Sequence, residues 1–397
     1  MVGRVIRALL VLYGAVLLGG CGADEDATPL KSFSPMTRAG QTGVPKLKQT
    51  ISFAPQQEGA EDRPAARLLE RYAEFFPNQV RHSIPFNTIL DGGPGKDGIP
   101  ALTNPLSIPA AAADYMEATD LVLGMTINGE SRAYPLRILV FHEIVNDTLG
   151  GTPVLVTFCP LCNTGIAFHP VINGQTVEFG VSGMLYQADL LMYDRGTDTP
   201  SLWVQALGEA VVGPKTGRLL DLLPVTQAHW GEWKVAHPNT TVLSKATGFN
   251  WHYRPYPDEL ELRPAKVLGV RVGDTNKAYH LEDLRQLQIV NDEIAGVPIV
   301  LIASPESDAV RVYERKNHQF EGSAEKVMEI GNHDVWEISE ELLSHPKTGD
   351  LLERIPDVFV SFRSAWFRFY PDSLVYDAPL HINSGAKRPT TWGAVKR

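Results

Sequence analysis

Cysteine is scarce in this chain of 397 residues, which contains only Cys21, Cys159 and Cys162. So few cysteines exclude the dense disulfide framework of small secreted domains. Cys21 stands alone near the start, whereas Cys159 and Cys162 have the spacing C-x-x-C. That spacing is suited to a disulfide, a redox couple or a metal site.

Positive charge is also scarce, since 36 Lys and Arg are set against 46 Asp and Glu, for a formal net charge of −10. Such a surface repels the phosphates of nucleic acids and no basic patch offsets it, so we expect no nucleic-acid partner. Common enzyme signatures are absent as well. There is no phosphate-binding G-x-x-x-x-G-K-[ST] loop and no dinucleotide fingerprint after a strand, and Gly180-Val-Ser-Gly183 lacks the spacing of a nucleophile elbow.

Long apolar runs are absent beyond the N-terminus, where residues 8–18 are apolar apart from one glycine. This run follows Arg4 and Arg7 and is shorter than the roughly 20 residues that cross a bilayer, so it predicts a signal peptide over residues 1–20. It ends in Leu-Gly-Gly immediately before Cys21, which resembles the lipobox cleavage site of lipoproteins. We expect Cys21 to be lipidated and the protein to be exported to the cell envelope.

The residues after Cys21 give the predicted location and the tether. Gly22 follows the cysteine where an inner-membrane lipoprotein has Asp, so resemblance to lipoproteins implies the outer membrane, facing the periplasm, in a host with two membranes. The membrane is thus the expected partner, through lipid on Cys21, and no protein or small-molecule partner is indicated. Residues 21–58 are polar and read as a tether, and residues 59–114 as a helix between Glu61 and Phe76 with a loop extension.

From residue 115 onward the pattern is typical of β-structure. Apolar and β-branched runs predict strands at residues 121–128, 154–158, 164–169 and 176–181, and Asn128-Gly129 is a hairpin turn signal. The predicted fold class is mainly β (β-rich α+β), with two tandem pseudo-repeat units packed together and an N-terminal helix.

The repeat is visible directly in the sequence. Ile144-Val-Asn-Asp147 returns as Ile289-Val-Asn-Asp292, and other partners 145 residues apart are Gly124 with Gly269 and Pro160 with Pro305. Trp233 and Pro238 return downstream with a shifted offset as Trp366 and Pro371. We interpret these matches as two copies of one unit. The boundaries are residues 115–245 for the first copy, 246–261 for a linker, 262–378 for the second copy and 379–397 for a tail.

The two copies differ at the reactive residues. The first copy has His142, Glu143, Cys159 and Cys162, and the second has at these positions Leu287, Gln288, Ser304 and Ser307. What both copies keep is interpreted as scaffold, and what one copy alone has is the better candidate for chemistry. We therefore expect Cys159, Cys162 and His142 to converge, with Glu143 close by.

Several motifs stand in order along the first copy: His142-Glu-Ile-Val-Asn-Asp147, Phe158-Cys-Pro-Leu-Cys162, Met192-Tyr-Asp-Arg195 and Ser201-Leu-Trp203. This set resembles the bacterial family known as the domain of unknown function numbered 3179, over roughly residues 95–378. The resemblance implies a family without an agreed activity. Asn163 departs from the family pattern, which usually has glycine after the second cysteine.

The C-x-x-C turn predicts one of two kinds of site. Soft thiolates suit one transition metal, zinc, copper or iron, with His142 and Glu143 as further ligands, and the same pair suits thiol-redox chemistry. The alternative is a non-catalytic envelope binding protein in which Cys159 and Cys162 form a stabilising disulfide. Whether the protein is an enzyme stays open at this point. Residues that would support the site are Met192, Asp194, Arg195 and His169.

Overall fold

The computed structural model describes residues 63–256 and 265–378, all of which belong to one compact unit. The predicted signal peptide, Cys21, the tether of residues 21–58 and the tail of residues 379–397 lie outside the described residues. No helix in the described ranges is long and apolar enough to cross a membrane.

The first described range is made of short strands and a few helices of about two turns. The helices are α1 (Ala66–Tyr72), α2 (Leu136–His142) and α3 (Trp230–Ala236), with 3-10 turns at Ala73–Phe75, Phe86–Thr88 and Ala110–Ala112. The strands are β1 (Ile89–Asp91), β2 (Leu102–Thr103), β3 (Ser107–Pro109), β4 (Leu121–Ile127), β5 (Glu130–Pro135), β6 (Ile144–Leu149), β7 (Thr152–Cys159), β8 (Thr164–His169), β9 (Val171–Ile172), β10 (Gln175–Thr176), β11 (Phe179–Tyr186), β12 (Asp189–Asp194), β13 (Leu202–Val204), β14 (Glu209–Val212), β15 (Asp221–Leu223), β16 (Thr226–His229) and β17 (Thr241–Leu243).

The second described range has the same character. Its helices are α4 (Leu281–Leu287) and α5 (Arg363–Phe369). Its strands are β18 (Lys266–Val272), β19 (Thr275–His280), β20 (Ile289–Ile294), β21 (Val297–Ala303), β22 (Val310–Glu314), β23 (Phe320–Gly322), β24 (Val327–Glu329), β25 (Val335–Ile338), β26 (Leu342–Ser344), β27 (Leu351–Glu353), β28 (Val358–Phe362) and β29 (Leu374–Val375). The prediction of a mainly β chain with few helices is confirmed.

The sheets of the two ranges are built in the same order. The sequence β4–β5–α2–β6–β7–β8 is matched by β18–β19–α4–β20–β21–β22. β4 pairs antiparallel with β5, where Gly124 faces Ala133, and β18 pairs with β19, where Gly269 faces Ala278. A late strand then joins each sheet in parallel, β17 beside β5 and β29 beside β19. Over these elements the two stretches of chain have the same order of strands and helix.

Matching side chains tie the matching elements together. The amide of Asn146 donates to the carbonyl of Phe179 at 2.9 Å and accepts from its N–H at 2.8 Å. Asn291 makes the same two bonds to Phe320, at 2.7 and 2.8 Å. The polar framework of the sheets thus recurs in both copies.

Two sequence predictions changed in detail. The helix predicted between Glu61 and Phe76 is α1 followed by a 3-10 turn that ends at Phe75. The strand predicted over residues 176–181 is wrong at Val177 and Glu178, which separate β10 from β11. The reason is a change of partner: the N–H of Val177 donates to Pro170, whereas pairing with β12 begins at Phe179.

One core cluster extends across both copies and surrounds the cysteines. Cys159, Cys162 and Trp203 of the first copy lie in it with Val267 and Trp366 of the second. Burial of these apolar groups is what holds the copies together at this point. The cysteines therefore sit at the junction of the two copies.

Candidate thiol–carboxylate site

The C-x-x-C motif forms the turn between β7 and β8. Cys159 ends β7 and pairs with Thr164, and the N–H of Cys162 donates to the carbonyl of Cys159 at 3.2 Å. Asn163 has a φ of 55°, a left-handed conformation that glycine or asparagine adopts most readily. Asparagine is therefore compatible with the backbone of this turn.

The turn hides its sulfurs and exposes its tip. Leu161 is 57% exposed, whereas Cys159 and Cys162 are 1% and 0% exposed and are free cysteines. The second copy is hydrogen-bonded to this turn, since the N–H of Phe362 donates to the carbonyl of Cys162 at 2.8 Å. The thiols therefore face the protein interior.

A carboxylate reaches the thiols from the turn between β11 and β12. Gln187 and Ala188 form this two-residue turn with φ values of 52° and 61°, although asparagine and glycine are the residues that usually accept such angles. The turn places the carbonyl of Ala188 3.3 Å from the sulfur of Cys162 and places Asp189 at the start of β12. Strained backbone is thus used to bring polar atoms to the cysteines.

Three ligand groups form one buried cluster. The sulfurs of Cys159 and Cys162 and a carboxylate oxygen of Asp189 all lie within 4.8 Å of one another. Oδ2 of Asp189 accepts from the N–H of Ala206 at 2.9 Å, whereas Oδ1 is buried without a hydrogen bond of normal geometry. The thiols nearby are only weak donors, so one oxygen is left poorly satisfied.

The electrostatics of this cluster favour protons over negative charge. Burial raises the pKa of Asp189 to about 7, and hydrogen bonding from the N–H groups of Ala206 and Leu190 and from the two thiols opposes the rise only in part. Burial also raises the pKa of Glu143 to about 7, with a further contribution from Asp189. The pKa of Cys159 lies well above its usual range, first through burial and then through Cys162 and Asp189. Neither Asp189 nor Glu143 forms an ion pair with a described residue.

Glu143 borders the cluster because of the way α2 ends. It follows His142 with a φ of 57°, and its carbonyl accepts from the N–H of Phe158 at 2.8 Å, one residue before Cys159. Gln288 ends α4 in the same manner, with a φ of 58°. The left-handed backbone at this helix end is therefore common to both copies, whereas the carboxyl group occurs only in the first.

His142 makes its hydrogen bonds to groups other than the sulfurs. Its side chain is fully buried, and its Nδ1 and Nε2 lie 2.7 Å from the carbonyl of Pro100 and 2.8 Å from the hydroxyl of Tyr253. Burial lowers its pKa, and the bond to Pro100 opposes this. The group of described ligand atoms within 4.8 Å of one another contains neither His142 nor Glu143.

The supporting residues have other partners. Met192 is buried in the core cluster of the cysteines. Asp194 accepts from Ser201 N–H, Trp203 Nε1 and Lys215 Nζ, which makes it a buried carboxylate that organises a loop. Arg195 forms an ion pair with Asp97. His169 lies opposite Asp221 in the pair of strands β8 and β15, and burial lowers its pKa.

The second copy shows what the same turn does with serines. Ser304 and Ser307 both donate to one carboxylate oxygen of Glu232, at 3.2 and 2.5 Å. Glu232 belongs to α3 of the first copy, so this contact joins the copies as well. Hydroxyls satisfy a partly buried carboxylate there, whereas Asp189 Oδ1 in the first copy has no hydrogen bond of normal geometry.

Asp189 is the site residue that sequence reasoning missed. The turn before it has two residues, whereas four residues separate β23 from β24, so the two turns do not correspond residue by residue. The available signal was a single acid directly before the buried apolar run of β12.

The fold and the site define a mainly β protein with a buried dithiol–carboxylate cluster. The family described as "Protein of unknown function (DUF3179)" matches residues 96–373, so the chain belongs to this family. No curated protein and no solved structure matches the chain.

Proposed function

We propose that this protein binds one transition-metal ion through Cys159, Cys162 and Asp189, and that it does so as a lipid-anchored protein of the cell envelope. The observation that carries the proposal is the buried cluster of three ligand atoms within 4.8 Å. Ligands at about 2.0–2.3 Å from a tetrahedral zinc ion lie roughly 3.5 Å from one another. Small side-chain movements therefore bring this donor set onto an ion.

The charge balance supports a cation. Two thiols and two carboxyls lie close together in the interior, and Asp189 and Glu143 have no basic partner among the described residues. Buried acids without a partner are costly, and they are kept neutral by protons or balanced by a bound metal. A metal ion bound here would displace the protons and offset the free-energy cost of burying the two acids.

The serines of the second copy supply an independent argument. A hydroxyl pair at this turn binds a carboxylate well, as Ser304 and Ser307 do with Glu232. If the first copy needed only to satisfy Asp189, serines would serve it better than cysteines. Cysteines are better than serines at binding soft metals and at redox chemistry.

The mixed donor set favours zinc or iron(II) over copper(I), because a carboxylate is a hard ligand and copper(I) prefers sulfur alone. Three protein ligands leave a fourth position on a tetrahedral ion. Glu143, whose charge acts on both Asp189 and Cys159, would serve there as a fourth ligand or hold a proton beside it.

Metal analysis of the purified chain tests the proposal. We expect about one zinc or iron per chain in the wild type, and a loss of at least about tenfold in the double variant Cys159→Ser/Cys162→Ser and in Asp189→Asn. Asp198→Asn, on the exposed loop after β12, is the matched control and should keep its metal. Equal metal content in all four proteins would refute the site.

A dithiol redox couple is the second candidate, and one observation favours it. Asp189 lies against both sulfurs with a pKa of about 7, so it can accept a thiol proton at neutral pH. Oxidation would join Cys159 to Cys162, pass two electrons to a low-molecular-weight disulfide and release it as two thiols. The full burial and raised pKa of Cys159 slow this reaction. Metal-free wild-type protein that cycles between dithiol and disulfide in a glutathione buffer would favour this alternative.

A further inference from the structure

An aromatic strap, defined here as residues 247–256, runs along the edge of the site after the first copy ends. Its side chains include Phe249 and Trp251, which are 39% and 37% exposed, and Tyr253, which is buried. The ring of Trp251 stacks on His142, with centroids 4.9 Å apart and an interplanar angle of 28°. The strap therefore contacts the residue directly before Glu143.

The far end of the strap contacts the cysteine turn. The ring of Tyr256 packs edge-on against Phe158 at 5.4 Å, and its hydroxyl donates to Asn163 at 3.4 Å. Phe158 precedes Cys159, and Asn163 follows Cys162. The strap thus bridges the two walls of the site, the end of α2 on one side and the turn between β7 and β8 on the other.

Side chains alone attach this segment. From Asn250 to Pro255 the strap has no secondary structure and makes no backbone–backbone hydrogen bond to a described residue. Segments with few buried contacts and no backbone pairing are the ones that open locally while the rest of a protein stays folded.

His142 holds the middle of the strap through a defined chain of hydrogen bonds. The carbonyl of Pro100 only accepts, so Nδ1 of His142 carries the proton and donates to it. Nε2 then accepts from the hydroxyl of Tyr253 at 2.8 Å, and Tyr253 accepts in turn from Thr247 at 2.5 Å. Because the carbonyl of Pro100 can only accept, it fixes the direction of every hydrogen bond in this chain.

We propose that His142 is a positioning residue that latches the aromatic strap over the dithiol–carboxylate site and so controls access to Cys159 and Cys162. This explains why His142 and the cysteines occur together in one copy although His142 does not lie among the ligand atoms. In the second copy Leu287 stands at its place and packs partly buried in an apolar cluster. The proposal holds whether the thiols bind a metal or act as a redox couple.

The test is the rate at which iodoacetamide modifies Cys159 and Cys162 in the reduced, metal-free full chain, followed by peptide mass spectrometry. Tyr253→Phe removes one hydroxyl and keeps the ring, and His142→Leu copies the second copy. Loss of one hydrogen bond should raise the opening equilibrium and the modification rate about three- to tenfold. We expect at least this rise in both variants, with an unchanged melting temperature in Tyr253→Phe, which keeps the bond of His142 to Pro100. Tyr376→Phe, on a tyrosine of the second copy, is the control and should react like the wild type.

Modification rates equal to the wild type in both variants would overturn the latch. So would a rise that is matched by faster hydrogen exchange throughout the β-sheets, because that result means global unfolding rather than opening of the strap. Faster exchange confined to residues 247–256 supports the proposal. If the wild type binds no metal, the proposed metal function fails, whereas the modification rates still decide the role of His142.

Discussion

Glu143 and Gln288 end equivalent helices with nearly the same backbone, φ 57° and 58°, but only one of them is an acid. The side-chain oxygen of Gln288 accepts from Ala324 at 3.2 Å in the turn between β23 and β24. Glu143 instead faces Asp189 at the turn between β11 and β12, and both acids have a raised pKa. Glutamine is therefore compatible with this helix end in the second copy, where the cysteines are replaced by serines.

Glu143→Gln should therefore leave the fold intact and weaken the metal site. Glutamine already fits this left-handed position in the second copy, and the change removes a poorly solvated acid. We expect an unchanged or slightly higher melting temperature of the metal-free protein, and a metal affinity about 10–100-fold lower in a chelator competition. An affinity equal to that of the wild type would remove Glu143 from the neighbourhood of the ion.

Glu340 should make the stability of the chain depend on acid. Its carboxylate is 2% exposed and pairs with Arg311 and Arg354 of the same copy, and the hydroxyl of Thr226 donates to it across the junction of the copies. Burial alone would raise its pKa, but the charges of Arg311 and Arg354 outweigh burial and hold the pKa well below its usual range.

The lowered pKa of Glu340 determines the direction in which stability changes with pH. The stabilisation by Glu340 is complete above pH 4.5, the usual value of the group, and is lost as the pH falls through the lower folded value. Urea midpoints from pH 7 to pH 3 should show the loss below pH 4.5. Glu340→Gln should cost about 3–5 kcal/mol at pH 7, because it leaves the buried Arg354 and the partly buried Arg311 without their counter-charge, and should flatten the acid slope. The exposed Glu337→Gln is the control; a similar cost in that variant would contradict the assignment.

Gly124 and Gly269 should each be intolerant of a methyl group. A Cβ at Gly124 would overlap the ring of Trp233, and one at Gly269 would overlap Trp366. Alanine at either place should destabilise the chain by about 1–3 kcal/mol, measured by urea unfolding. Combining Gly124→Ala with Trp233→Phe should cost less than the sum of the two single changes. Strict additivity would mean that the glycine and the tryptophan do not meet.

Cys21→Ser should abolish lipidation and leave the precursor uncut, because the lipid is expected to be attached at this cysteine before cleavage. Labelling with a radioactive fatty acid and fractionation of membranes would measure both effects. Cys159→Ser should keep its label and serves as the control. A normally processed, unlabelled product from Cys21→Ser that stays in the soluble fraction would contradict a lipobox at residues 18–21.

Local features of the fold were accessible from local sequence. The hairpin at Asn128 and Gly129 formed as predicted, since both residues adopt positive φ, and the strand predicted at residues 164–169 is β8 itself. Such features depend on neighbours a few residues away in the sequence, so they can be predicted from the local pattern of residues. The limits of β10 and β11 depended on the partners that the fold supplies, Pro170 for Val177 and β12 for Phe179, and there the prediction was wrong in part.

By itself, the sequence determined the mainly β class, the family and the position of Cys159 and Cys162 in one turn. The tertiary structure alone brought Asp189 to that turn and took the ring nitrogens of His142 to Pro100 and Tyr253, 42 and 111 residues away. The physical reason is that donors and acceptors in a folded interior are matched by distance in space and by burial. A residue's neighbours in sequence specify its backbone, but its chemistry is decided by whichever distant group the folded chain places within hydrogen-bonding or ligand distance.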